Sequence, residues 1–404
     1  MASKFGWVDF ADEDRQKMMD VVQLYRDRDT RDELGIGTIR DAFSEYFFPG
    51  TSTIQTRVKY MLFVPWIYLD LERKRVPSDK IANRARYAEL RLVEALLSNG
   101  EQEGVIGSEA RRSLQRLPSS IYWSGLYSWG IRLYPGSQDQ YHRHLDAYYQ
   151  RRKIRYDGEA DEEFSDPSAA PTWHPGLPEC TEDLVYNATL KLNRNEAQYL
   201  KERIVLNHSS SFLAKLVQAD LYAGSDFPWQ SHLLSKLSES DPLKNEVWHA
   251  RNFSETMHGA ALLYNLLLSK ARDNSQWVDD YERRFKNWIK LMRSRDFHLR
   301  NWHFTLEEFW NLAPFKLYPI PRLTQAFVND WLKLAFVSPG YEKLMTNQSA
   351  RRLITEREYH LKRNRARLEN KRALEMWRGM SGTQQLSYRW RTVSTFVSDI
   401  LIAL

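Results

Sequence analysis

One cysteine, Cys180, occurs in 404 residues. An intrachain disulfide is therefore excluded, and so is a zinc site built on cysteine pairs. Long apolar runs are missing too. The longest, Tyr60 to Leu69, contains Pro65 and ends in charge; a bilayer needs about 20 apolar residues. The opening MASKFGWVDFADEDRQ turns acidic at once and lacks the charged-then-apolar pattern of a signal peptide. These absences lead us to expect a soluble protein of a reducing bacterial cytoplasm, with no membrane partner. The sequence has no GxxxxGK loop and no GxGxxG after a strand, so ATPase and dinucleotide readings have no support. GxSxG and HEXXH are also missing. His360-Leu361-Lys362 begins a phospholipase-type HxKxxxxD, but Arg367 stands where the aspartate belongs. His298, His303 and Glu307 come nearest to a metal set and read as ordinary surface residues. No metal and no cofactor is expected.

What is present is apolar and aromatic. The hydrophobic fraction is 42%, with 14 Trp and 21 Tyr, which is enough for a real core. The net charge of +6 permits a nucleic-acid partner without demanding one. The periodicity predicts a mainly α, multi-helical fold. It divides into an N-terminal domain over 1–156, a linker or long loop over 157–183, acidic and then rich in Ser, Pro and Ala, and a C-terminal domain over 184–404.

In the first domain the spacing predicts helices over Asp12 to Tyr25 and Thr38 to Tyr46, then one from Thr51 or Ser52 past Lys74 with a kink at Pro65. Asn83 to Leu97 carries Arg84, Arg86 and Arg91 on its solvent side. Helices at Ser108 to Leu117 and Ile121 to Trp129 and a short strand at Ile131 to Tyr134 follow. Over 79–136 this is the layout of a winged helix-turn-helix, in which Tyr122, Ser124, Tyr127 and Arg132 would face nucleic acid. The alternative is that Tyr122, Trp123, Leu126, Trp129 and Ile131 form the core of a helical bundle, since one arginine is too few for phosphate binding.

In the second domain, Leu190 to Leu206 reads as a helix capped by Asn193 or Asn195, and Thr305 with Glu308 reads as a capping box. The longest buried helix is Lys244 to Arg272. Arg251, Glu255 and His258 lie along one of its faces, and Asn265 sits among leucines, where it needs a buried partner. The most lopsided segment is Arg351 to Arg378. Its ten Lys or Arg and four Glu give 10 − 4 = +6, the net charge of the whole chain. Read as one helix with a narrow apolar stripe, it shows a basic face to which Lys362, Arg363, Arg365, Arg367, Lys371 and Arg372 contribute. That face would track a phosphate backbone. A merely solvated charged helix is the competing account.

Arg251-Asn252, followed by His258, resembles the Arg-polar-spacer-His motif of the HEPN superfamily of helical ribonucleases. The resemblance implies metal-independent RNA cleavage. His258 would move the proton of a 2′-hydroxyl or leaving oxygen, and Arg251 would stabilise the phosphorane charge. It covers eight residues. An arginine followed by a histidine after four to six residues also occurs at Arg203/His208 and Arg293/His298, and only Arg251 is followed by a residue the motif prefers. The competing account is an Arg251–Glu255 ion pair beside a partly buried His258. A broader resemblance covers most of the chain. FGWVDF, DTRDELGIGTIRDAF, FPGTSTIQTRVKYMLFVPWIY, LPSSIYWSGLYSWGIR, ARNFSETMHGAALLYNLLL and the late YRW resemble an uncharacterised bacterial family, the domain of unknown function DUF6361. The resemblance implies a setting near phage-defence and DNA-processing genes; it implies no activity and no catalytic residues. The expected function is a nucleic-acid-binding accessory component of an anti-phage defence system, with DNA or RNA and other defence proteins as partners. The alternatives are the HEPN-like ribonuclease and a scaffold whose aromatic surface binds another protein.

Overall fold

Seventeen α-helices and no strand make up the described part of the protein. The structure is a computed structural model that describes residues 32–156, 170–180, 184, 186–222 and 224–404. The predicted lead-in, the helix at Asp12 to Tyr25 and most of the 157–183 stretch lie outside the described residues.

Helix α1 (Gly37–Phe47) begins where Asp32 accepts from the amides of Ile36 and Gly37, at 2.9 and 2.6 Å. It ends at Phe48-Pro49-Gly50, as expected. Thr51 and Ser52 cap nothing further on, because residues 51–59 turn before α2 (Tyr60–Arg73) starts. α2 is buried on nearly every side, from Tyr60 through Tyr68. Pro65 sits in its second turn, close to the end where a missing N–H costs least. α3 (Ser78–Ser98) and α4 (Pro118–Ser128) pack on it. The helix expected over Ser108 to Leu117 shrinks to a single 3-10 turn at Arg111–Ser113. Gly107 and Arg111 both take positive φ, which an α-helix cannot continue through. α5 (Gln138–Tyr156), α6 (Arg194–His208), α7 (Phe212–Gln218) and α8 (Leu233–Lys236) follow. Asn193 caps α6 in a reciprocal box with Glu196, the helix start the sequence announced.

α9 (Pro242–Ala271) is the longest helix, at 30 residues. α10 (Ser275–Ser294) crosses it at Gly259. A Cβ there would lie 2.3 Å from the Trp288 ring, so only glycine admits the indole. α11 (Asp296–Phe304) and α12 (Leu306–Trp310) follow. The Thr305 hydroxyl turns back to the Trp302 carbonyl at 2.9 Å, and the expected capping box does not form. α13 (Ala313–Leu317), α14 (Arg322–Phe336), α15 (Gln348–Lys362), α16 (Lys371–Glu375) and α17 (Trp390–Ala403) complete the order.

Contacts group these elements into two units. One holds Asn245–Leu386 with the described residues before Phe43; the other holds Phe43–Lys244 with Ser387–Leu404. α17 belongs to the second unit because its apolar face completes an early core. Trp390 stacks within 5.7 Å of both Phe48 and Phe212, and Phe396 lies 6.1 Å from Trp129. Arg57 locks α17 in place through a forked ion pair with Asp399, at 2.8 to 3.0 Å.

That second unit also buries Glu89 of α3. Its carboxylate accepts from the amide and the hydroxyl of Ser119, each at 2.7 Å. Burial still raises its pKa from 4.5 to about 7 against those bonds. The folded state thus holds this proton more tightly than the unfolded chain. Stability is full below pH 4.5 and is lost as pH rises through 7. Glu89→Gln keeps an acceptor and a donor for Ser119 and carries no charge. Relative to wild type it should gain on the order of 2–3 kcal/mol between pH 4.5 and 8. Urea unfolding across that range reads the gain, and a pH-independent difference would refute it.

Candidate nucleic-acid interface

The face of α9 that carries Arg251 and His258 is a docking strip for the chain's own backbone. Ser254 donates to the Leu386 carbonyl at 2.7 Å, and His258 Nε2 lies 3.0 Å from the Thr383 carbonyl. Asn265 clasps Ser381 at both ends: Nδ2 donates to its carbonyl at 2.7 Å, and Oδ1 accepts from its amide at 2.9 Å. Asn265 thus has the buried partner its position required. Residues 254, 258 and 265 recur on one helix face and tie down residues 381–386. Burial pulls the His258 pKa below the ordinary histidine value, and the Thr383 carbonyl works the other way. The ring donates from Nε2 to a fixed acceptor.

Arg251 has a different partner. Its Nε donates to Glu255 Oε1 at 2.8 Å, the ion pair the spacing allowed. The other oxygen of Glu255 lies 3.1 Å from Arg295 Nε, and Arg295 also donates to Asn252 Oδ1 at 2.5 Å. Arg251 and Arg295 are thus drawn together by one buried carboxylate, and Asn252 is held by Arg295. His258 is engaged separately, and the structure brings no shared partner to Arg251 and His258. One turn earlier, His249 is fully buried, accepts from Trp302 at 2.9 Å, and is pulled to about pKa 4 by burial. It is a neutral core histidine. Among the described residues no group of three or more His, Cys, Asp or Glu could hold a metal ion.

The winged-helix expectation loses its geometry. Residues 131–134 contribute one isolated bridge, Arg132 to Trp173, and no wing hairpin forms among the described residues. Tyr122 is fully buried; its hydroxyl accepts from the Thr56 amide at 2.9 Å and donates to the Arg57 carbonyl at 2.8 Å. Arg132 is buried as well. Its guanidinium lies over the Trp123 and Tyr127 rings and donates to the carbonyls of Trp123, Tyr134 and Gly136. Desolvation lowers its pKa to about 10. Neither residue can reach a phosphate. Tyr127 keeps half its surface exposed.

The basic tail survives in altered form. Residues 351–378 are three pieces, not one helix: α15 stops at Lys362, Arg363–Arg365 form a 3-10 turn, and α16 starts at Lys371. The break has a side-chain cause. Glu358 is fully buried and accepts the amides of Arg367 and Leu368, each at 3.0 Å, which folds the loop back along α15. Arg363 takes φ +50 at the turn. The cations then divide. Lys362 and Arg367 point inward to Glu33, Arg367 at 2.7 Å, and both approach the Tyr264 hydroxyl. Two carboxylates, Glu33 and Glu358, balance these two cations. Arg357 is also buried and donates to the Leu34, Gly35 and Leu323 carbonyls. Arg363, Arg365, Lys371, Arg372 and Arg378 remain exposed. Arg363 rests on the Tyr359 ring at 5.9 Å.

A second basic surface went unread in part. α3 presents Arg84, Tyr87 and Arg91 on one exposed face, and α2 ends in exposed Arg73 and Lys74. The sequence pointed to Arg84 and Arg91. It also offered Arg86, which instead donates to the Leu114 and Arg112 carbonyls. Tyr87 and Arg73 were missed. The signal for Tyr87 was its place between Arg84 and Arg91 at helical spacing.

These features define a mainly α, multi-helical protein with two basic surfaces among its described residues. The chain matches the family of unknown function DUF6361 over residues 2–403 and belongs to that family. No curated protein and no solved structure matches it. Among the described residues no helix is long and apolar enough to cross a membrane.

Proposed function

We propose that the protein binds nucleic acid, as an accessory component of an anti-phage defence system. The observation that carries the binding is the clamped loop over 363–372. Glu358 fixes its backbone and Glu33 takes its two inward cations, while Arg363, Arg365, Lys371 and Arg372 are left at the surface. A basic loop held in one conformation loses little entropy when it meets a phosphate backbone. The defence setting comes from the family resemblance, and the engaged states of Arg251 and His258 favour binding over RNA cleavage. Arg363→Glu, Arg365→Glu and Arg372→Glu together should weaken duplex binding at least about 100-fold and lower the salt slope by about 3. A salt titration by fluorescence anisotropy measures both. Unchanged affinity in the triple variant would remove the loop from the interface.

A further inference from the structure

We propose that the groove between α2 and α3 binds a single strand of nucleic acid, with one base stacked on Tyr87 and phosphates held by Arg73, Arg84 and Arg91. The proposal rests on the nucleic-acid reading above, and it adds a separate site and a strand preference.

The groove encloses about 1060 Å³ and lies wholly within the unit that contains α2 to α8. Its floor is apolar, with Trp66, Ile67 and Leu71 nearly buried. Its rim is charged. Among the described residues Arg73, Lys74, Arg84 and Arg91 face Asp70 and Glu179, four cations against two carboxylates, which leaves +2. Asp70 is already paired with Lys74 at 2.6 Å. Arg73 and Arg84 meet no carboxylate among the described residues. Arg84 and Arg91 stand two turns apart on α3, roughly 10 Å along the axis. Between them Tyr87 is 60% exposed, with the Arg91 guanidinium 5.8 Å from its ring.

An exposed tyrosine flanked by arginines, over an apolar floor, is the pairing that a single strand uses. Bases stack on rings while cations follow the backbone. A duplex hides its base faces and would leave the apolar floor unused. The walls are rigid. The α2–α3 elbow closes with the Val76 amide on the Leu71 carbonyl at 3.1 Å and Arg75 at φ +48. Asp146 of α5 accepts from the Ser78 amide at 3.0 Å and so caps α3. Trp66 Nε1 donates to the Pro178 carbonyl at 2.8 Å, which fixes the facing wall. The groove is therefore shaped before any ligand arrives.

The test is fluorescence anisotropy of the full chain with a labelled 12-nucleotide single strand and with the matching duplex. Three variants are compared with wild type: Tyr87→Ala, Tyr87→Phe, and the pair Arg73→Ala with Arg84→Ala. All three positions are exposed, and far-ultraviolet circular dichroism confirms folding. Tyr87→Ala should weaken single-strand binding about tenfold and leave duplex binding unchanged, while Tyr87→Phe keeps wild-type affinity. The arginine pair should lower the single-strand salt slope by about 1.4. Single-strand binding that survives all three variants and is lost with the 363/365/372 variant would overturn the groove and leave the proposed function standing. Absence of binding to any oligonucleotide by wild type would overturn both. Polyglutamate that displaces the strand from wild type and Tyr87→Ala alike would assign the groove to an acidic protein segment and overturn the proposal.

Discussion

Glu196→Ala should cost about 3–5 kcal/mol, the largest loss expected from a single substitution in this protein. Lys59 Nζ donates to Glu196 Oε2 at 2.8 Å with both side chains essentially inaccessible to water. The ammonium also donates to the Lys191 carbonyl at 3.2 Å and lies over the Phe63 and Trp66 rings. Without Glu196 the buried ammonium would lose the carboxylate that pairs with it at 2.8 Å. The same substitution removes half of the α6 capping box, since Glu196 also accepts the Asn193 amide at 2.9 Å. The double variant Lys59→Met with Glu196→Leu should recover most of the loss, because it removes both charges and fills similar volume. Urea unfolding of the single and double variants gives the coupling directly. Additive losses in the double variant would show that the pair does not act as a unit.

Glu358→Ala should destabilise the protein by about 3 kcal/mol and release the basic loop. Its carboxylate accepts the Arg367 and Leu368 amides and the Tyr264 hydroxyl, and it lies 3.3 Å from Lys362 Nζ. Removal takes the acceptor from two part-buried amides and takes from Lys362 a carboxylate 3.3 Å away. Glu358→Gln keeps an acceptor but not the charge, so its cost should be about half. Hydrogen exchange at the Arg367 and Leu368 amides should speed up in the alanine variant, by a factor that tracks the lost stability. Nucleic-acid affinity should fall even though no exposed cation has changed, because a released loop must be ordered on binding. Unaltered exchange at those two amides would refute the clamp.

Both predictions turn on charges that the sequence displays without showing their partners. Glu196 was legible as a helix start, because Asn193 lies three residues before it. Lys59 is 137 residues away, and nothing local to it announces burial. Glu358 and Lys362 stand four apart and read as an ordinary surface pair. Only the return of residues 32–37 to this region brings Glu33 against Lys362 and Arg367 and turns the pair into a buried cluster. Glu358 breaks the expected 28-residue basic helix, and the burial of Lys362 and Arg367 against Glu33 lowers its exposed charge. Arg132 followed a similar course, whereas the burial of Tyr122 was one of the two accounts its helix allowed.

The sequence by itself determined the helical class, helices α1, α4, α6 and α9 to within a few residues, the α6 cap and the need of Asn265 for a buried partner. Those properties depend on periodicity and on neighbours within four residues, which the chain carries locally. Tertiary structure alone decided which polar residues face water. It turned Arg251 toward Glu255 and Asn252 toward Arg295, and it set His258 and Asn265 on residues 381–386. It also left Arg73, Arg84 and Tyr87 exposed around a groove. The reason is physical: a charged side chain gains far more from a partner in a low-dielectric interior than at the surface, and that partner is supplied by chain closure rather than by sequence distance.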